Sequence, residues 1–219
     1  MMKLIQFLYF IILLFALSIG GVQAQQPIAG GMSVDEGDAK AGKTKSELCH
    51  GCHGADGMSV DPTTFPNLAG QFAGYIFKQV QDFQLGNRND DTMSAMAQTV
   101  ASLEDLRDIA VYFSQQKVMS GKPTGSKLEK QGAEIFEKGN PKNGLYGCIN
   151  CHGKDGKGKS KSNSLFPIIG GQSKPYIIKQ LNDLKAGKRA NDPAGMMGDI
   201  AKKLSDTEIK AVAEFLSSR

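Results

Sequence analysis

The chain has 219 residues, with 26 Lys and Arg against 22 Asp and Glu, 40% apolar residues and 22% charged ones. That length suits one or two domains, and that balance excludes wholesale disorder and lacks the basic excess of a nucleic-acid binder. Four cysteines fall into two Cys-x-x-Cys pairs with 95 residues between them, which is not the density of a disulfide-stapled miniprotein.

In chain order, the first feature is an apolar run of 16 residues from Leu4 to Ile19 that follows Lys3 and leads to Val22-Gln23-Ala24. A run shorter than the roughly 20 residues of a membrane span, ending in small residues, predicts a cleavable secretory signal over residues 1–24. The mature chain would then begin near Gln25 and be exported. A helix is expected from Asp38 to about Cys49, a second from Gln71 to Leu85 stopped by Gly86, and a third from the N-cap Ser102 to about Gln116. The Gly, Pro and Ser of 120–126 mark a join. Beyond it the plan recurs: a helix over Lys127 to Lys138, one from Ser173 to Ala186, and one opened by Ser205 and running to Leu216.

The recurrence extends to individual residues. Cys49-His50-Gly51-Cys52-His53-Gly54 returns as Cys148-Ile149-Asn150-Cys151-His152-Gly153, offset by 99. Phe65-Pro66 and Gly70-Gln71 return as Phe166-Pro167 and Gly171-Gln172, and Tyr75-Ile76-Phe77-Lys78-Gln79 as Tyr176-Ile177-Ile178-Lys179-Gln180, all offset by 101. Two ordered copies, too few for a solenoid, indicate a duplicated helical domain, with halves at 25–120 and 121–219. Each half is small for building a core alone, and a bulky apolar cofactor would complete it.

Cys-x-x-Cys-His is the attachment signature of a c-type haem: two thiols one helical turn apart reach two vinyl groups on one porphyrin edge, and the next residue offers imidazole to the iron. The pattern assigns Cys49, Cys52, Cys148 and Cys151 to covalent attachment of two haem c groups, with His53 and His152 as iron ligands. A tetrahedral zinc site requires neither the trailing histidine nor corresponding places in two repeats, and a thioredoxin-like pair calls for a βαβ pattern that is missing. His50, inside the first motif, reads as a solvated, inert side chain.

With the other histidines committed, the sixth position falls to methionine, a pairing that raises haem potential for electron transfer. Met93 and Met197 lie 40 and 45 residues after their histidines, in expected loops before the last helix of each half. Met96 corresponds to Ile200 and Met196 to Thr92, so only Met93 and Met197 serve both halves. Met32, Met58 and Met119 are left to the core or the surface.

These residues carry a family resemblance. Each half resembles a class I cytochrome c domain, and the tandem over Ala39 to Ser217 is similar to the dihaem cytochrome c4 family: Cys-x-x-Cys-His, Phe-Pro, Gly-Gln, Tyr-x-x-Lys-Gln, Met and Leu-Ser-Asp in order. The resemblance implies an all-α fold of two tandem domains, each wrapped around one covalently attached haem. It implies that the carbonyls of Pro66 and Pro167 face the far nitrogens of His53 and His152, with a plain turn proline as the alternative. It further implies a periplasmic electron carrier in a respiratory chain, fed by a quinol-oxidising cytochrome complex and discharging to a haem-copper terminal oxidase, with at most a loose membrane association. An electron-relay subunit of a dehydrogenase complex, and a dihaem peroxidase or thiosulfate-oxidising enzyme, are the alternatives; the enzyme needs a displaceable sixth ligand. Residues 25–120 carry 7 basic against 12 acidic groups and residues 121–219 carry 18 against 10, so the second half could dock an acidic partner through Lys154, Lys157, Lys159 and Lys161.

Overall fold

A computed structural model describes residues 33–219, so the expected signal at 1–24 and Met32 lie outside the described residues. The first half is built from α1 (Ala39–Lys45), α2 (Glu47–His53), α3 (Ala73–Gln84), α4 (Met93–Ala97) and α5 (Leu103–Ser114). The second half repeats the order with α6 (Lys127–Lys138), α7 (Ile149–His152), α8 (Lys174–Lys185), α9 (Met196–Lys202) and α10 (Asp206–Ser217). Short 3₁₀ turns fill some of the connections, and among the described residues β-structure is confined to one isolated bridge between Asn140 and Leu145. No helix among the described residues is long and apolar enough to cross a membrane.

Local chemistry sets the helix starts. Asp38 caps α1 by accepting from the Lys40 and Ala41 N–H groups, Ser102 caps α5 through Asp105, and Ser205 with Glu208 forms a complete capping box at α10. The helix expected from Asp38 to Cys49 is in fact two: Ser46 leaves helical geometry, and its hydroxyl donates to the Lys43 carbonyl, so the chain turns before the first cysteine motif. The methionine segments, expected as loops, are short helices instead; five and seven residues are too few for an apolar period to reveal them.

In each half the first helix crosses the last at a glycine. A Cβ on Gly42 would lie 2.0 Å from the Asp108 carbonyl oxygen of α5, and one on Gly132 would lie 1.9 Å from that of Ala211 in α10. Around these crossings Phe113, Leu106 and Ile109 form the first core, and Phe136, Ile209, Val212 and Phe215 the second. A third cluster of Phe72, Met119 and Ile168 joins the halves, and residues 33–219 form one compact unit.

Candidate functional site

α2 places Cys49 and Cys52 three positions apart, and Gly54 at φ 75° stops the helix so that His53 is its last residue. In the second half α7 ends identically: Gly153 at φ 74° follows His152, with Cys148 at the N-cap. Positive φ costs a glycine little, which lets the chain turn sharply and carry each histidine under the loop that follows. Both imidazoles are buried. His53 Nδ1 donates to the Pro66 carbonyl at 2.9 Å and His152 Nδ1 to the Pro167 carbonyl at 2.9 Å. A carbonyl oxygen only accepts, so each ring keeps its proton on Nδ1 and leaves Nε2 with a free lone pair. Burial holds both histidines below the ordinary pKa despite the proline carbonyls pulling the other way, so the rings are neutral and fit to bind a metal.

The four cysteines form no disulfides. Burial pushes the Cys148 thiol up to about 11 and raises Cys49 too, the opposite of the depressed values that activate a redox dithiol. Among the described residues no three His, Cys, Asp or Glu side chains gather as metal ligands.

Cys49, Cys52, His53, Cys148, Cys151 and His152 line a continuous cavity of about 1190 Å³. Met93, Met96, Met196 and Met197 also border it. One feature separates these methionines. The Met93 N–H donates to Asp90 Oδ1, three residues earlier, at 3.1 Å, and the Met197 N–H to Asp192 Oδ2, five residues earlier, at 2.8 Å, so an aspartate carboxylate holds the backbone at both positions. Met119 is a core residue at the join and Met58 is partly exposed. His50 is not solvated as expected: its Nε2 donates to Ser46 Oγ at 2.8 Å, and its ring lies 5.9 Å from that of Tyr112 and 6.1 Å from that of Phe113.

A group of residues to which sequence reasoning gave no role sits where the halves meet. Arg88 donates to Gln79 at 2.8 Å, Gln180 at 2.9 Å and Tyr176 at 3.0 Å. Arg189 mirrors it, donating to Gln180 at 2.8 Å, Tyr75 at 3.0 Å and Gln79 at 3.2 Å. All these acceptors are neutral, and both guanidiniums border the cavity. Burial pushes the Tyr75 phenol up, but Arg189 and Arg88 outweigh it and hold the phenol below its ordinary pKa. The signal was in the sequence: Gly86-Asn87-Arg88 and Gly187-Lys188-Arg189 recur at the offset of Tyr75 and Tyr176. Thiols, neutral imidazoles, apolar walls and two cations hydrogen-bonded to neutral side chains together suit a planar apolar group with acidic substituents. They fit a haem in each half.

A sequence model of the family Cytochrome c matches residues 39–117 and 129–219. The chain is 40% identical over 187 residues to cytochrome c4 of Pseudomonas aeruginosa, covering 85% of this chain and 90% of that one. It is 36% identical over 172 residues, 78% of each chain, to a thiosulfate dehydrogenase electron acceptor of Stutzerimonas stutzeri (strain A1501). Its fold superposes on the crystal structure of reduced recombinant cytochrome c4 from Pseudomonas stutzeri with a TM-score of 0.77 and 38% identity, covering 83% of this chain and 98% of that chain.

Proposed function

Since the chain belongs to the cytochrome c family, and within it to the dihaem cytochrome c4 proteins with two covalently bound haem c groups, we propose that it is a periplasmic electron carrier with two His/Met-ligated irons. Bound haem supplies reversible one-electron exchange between ferrous and ferric iron. The protein's residues do the rest. Cys49 and Cys52 in one half, and Cys148 and Cys151 in the other, tether the porphyrin edge. His53 and His152, oriented by Pro66 and Pro167, would offer Nε2 to the iron, and Met93 and Met197, whose N–H groups Asp90 and Asp192 hold, would offer it their thioethers. An iron held by both a histidine and a methionine would pass electrons without admitting a substrate to the metal, so we assign it no enzymatic reaction. The domains are residues 25–120 and 121–219, after a signal at 1–24.

The observation that carries this reading is the duplicated imidazole–proline carbonyl bond behind each Cys-x-x-Cys-His motif. The test is the oxidised spectrum with a haem count. Two haems and a methionine-to-iron charge-transfer band of two-site intensity are expected. Met93→Ala and Met197→Ala should each remove about half of that band; retention of the full band in either variant refutes its ligand.

The partners in this reading are membrane redox complexes: a quinol-oxidising cytochrome complex as donor and a haem-copper terminal oxidase as acceptor. A thiosulfate-oxidising enzyme is a second donor, favoured by the name of the Stutzerimonas relative. The docking face is the basic second half, with one correction. Lys157 is spent internally, its Nζ donating to the carbonyls of Met119 at 2.7 Å, Gly170 at 3.0 Å and Arg219 at 3.2 Å. Lys154, Lys159 and Lys161 remain exposed. Changing these three to Gln should slow reduction or oxidation by an acidic partner several-fold at low salt and flatten the salt dependence, measured by stopped flow.

A further inference from the structure

The Gly-Gln motif repeated in the two halves has no part in the site as described, yet each glutamine reaches across the join to the other half. Gln172 Oε1 accepts from the Asn67 N–H at 2.8 Å, and its Nε2 donates to the Asn67 carbonyl at 2.8 Å. Gln71 does the same to Ile168: Oε1 accepts from the N–H at 3.0 Å and Nε2 donates to the carbonyl at 2.7 Å. Having one N–H and one C=O as partners fixes which end of each side-chain amide is oxygen. All four residues are buried.

The peptide unit at each clasp is decisive. The Asn67 N–H belongs to the same peptide group as the Pro66 carbonyl, and that carbonyl accepts from His53 Nδ1. The Ile168 N–H likewise shares a peptide group with the Pro167 carbonyl that holds His152. Two chains therefore run across the join: His53 N–H to Pro66 carbonyl, through the peptide to the Asn67 N–H, to Gln172; and His152 N–H to Pro167 carbonyl, through Ile168 N–H, to Gln71. An acceptor on a peptide N–H polarises that peptide and makes its carbonyl a stronger acceptor, and in a dry interior such chains reinforce one another. A stronger acceptor on Nδ1–H makes the imidazole a more electron-rich ligand, which favours ferric over ferrous iron.

We propose that Gln172 and Gln71 are crossed positioning residues, each tuning the proximal histidine, and so the reduction potential, of the haem in the opposite half. This rests on the reading of His53 and His152 as iron ligands.

The experiment uses the full dihaem protein, as Gln172→Met and Gln71→Met, with Gln172→Asn as a milder variant. Ser173→Ala is the control: it removes a hydroxyl that also bonds across the join, to the Pro62 carbonyl, and that caps α8, while keeping the backbone N–H that donates to Gln172 Oε1 at 2.8 Å. Potentiometric titration is combined with proton–nitrogen spectra of ring-labelled histidine in the reduced state, each haem being assigned to its half by contacts of its methyl groups. Gln172→Met should raise the potential of the first-half haem and speed exchange of the His53 ring proton several-fold, leaving the second half unmoved. Gln71→Met should do the reverse, Gln172→Asn should follow Gln172→Met in smaller degree, and Ser173→Ala should move neither ring. A shift of both haems together, of only the haem in the mutated half, or of none overturns the proposal. Absence of the large ring-current shifts of a haem-bound imidazole at His53 or His152 instead refutes the ligand assignment itself.

Discussion

At the scale of single residues, the site works by fixing protonation. The His53 and His152 imidazoles are each neutral because they are buried, and each proton is placed by a carbonyl that can only accept. The guanidinium pair acts likewise on Tyr75, which lies below its ordinary pKa because the cations outweigh burial. Replacing Arg189 with Leu removes the larger cationic contribution, so the Tyr75 phenol should titrate higher than it does in the unaltered protein. Carbon-13 chemical shifts of labelled tyrosine, followed against pH, give the check. A Tyr75 that titrates where it did before would show that Arg189 does not hold it. The two Cys-x-x-Cys-His motifs were legible because such chemistry requires consecutive positions, as in Cys49 to His53. The partners of Arg88 were less so: Tyr176 and Gln180 lie 88 and 92 residues away, and only the shared offset of the repeats links them to it.

At the scale of elements, helices that begin at a polar cap and carry an apolar face were legible almost to the residue. The helix Lys127–Lys138 has its expected bounds, and α8 and α10 differ by about one residue at each end. The exceptions have local causes. The break at Ser46 depends on a hydroxyl bonding back to Lys43, which composition does not reveal, and α4 and α9 are too short to show a period. The two glycine crossings yield the prediction for this scale. Gly42→Ala or Gly132→Ala forces a methyl into a facing carbonyl, so the helices must separate at a cost of about 1–3 kcal/mol, the usual price of overpacking. Gly51→Ala, whose Cβ would meet nothing within 4 Å, should leave stability within about 0.5 kcal/mol. Denaturant unfolding of the three variants separates the cases; equal midpoints would show that the crossings tolerate a side chain.

At the scale of the whole molecule, duplication has been turned into reciprocity. The arginine, glutamine and tyrosine contacts and the two glutamine clasps are pairs related by the same exchange of halves, so each copy completes the other's surroundings. Charge breaks that symmetry, with a net −5 over residues 25–120 and +8 over residues 121–219, so the two ends of the particle present different potentials to a partner. The duplication and the charge difference were legible in the sequence, but the pairing of the halves was not, because it is a property of which loops face each other after folding.

The connecting segment shows what that pairing implies. Met119 is buried against both halves, its N–H donates to the Ala69 carbonyl at 3.1 Å, and Lys157 gathers the Met119, Gly170 and Arg219 carbonyls at one point. Residues 122–125 just beyond are exposed. The copies are therefore held by their contacts as well as by the thread between them: a protease that nicks the backbone at Lys122 should leave two fragments that still travel as one particle on gel filtration.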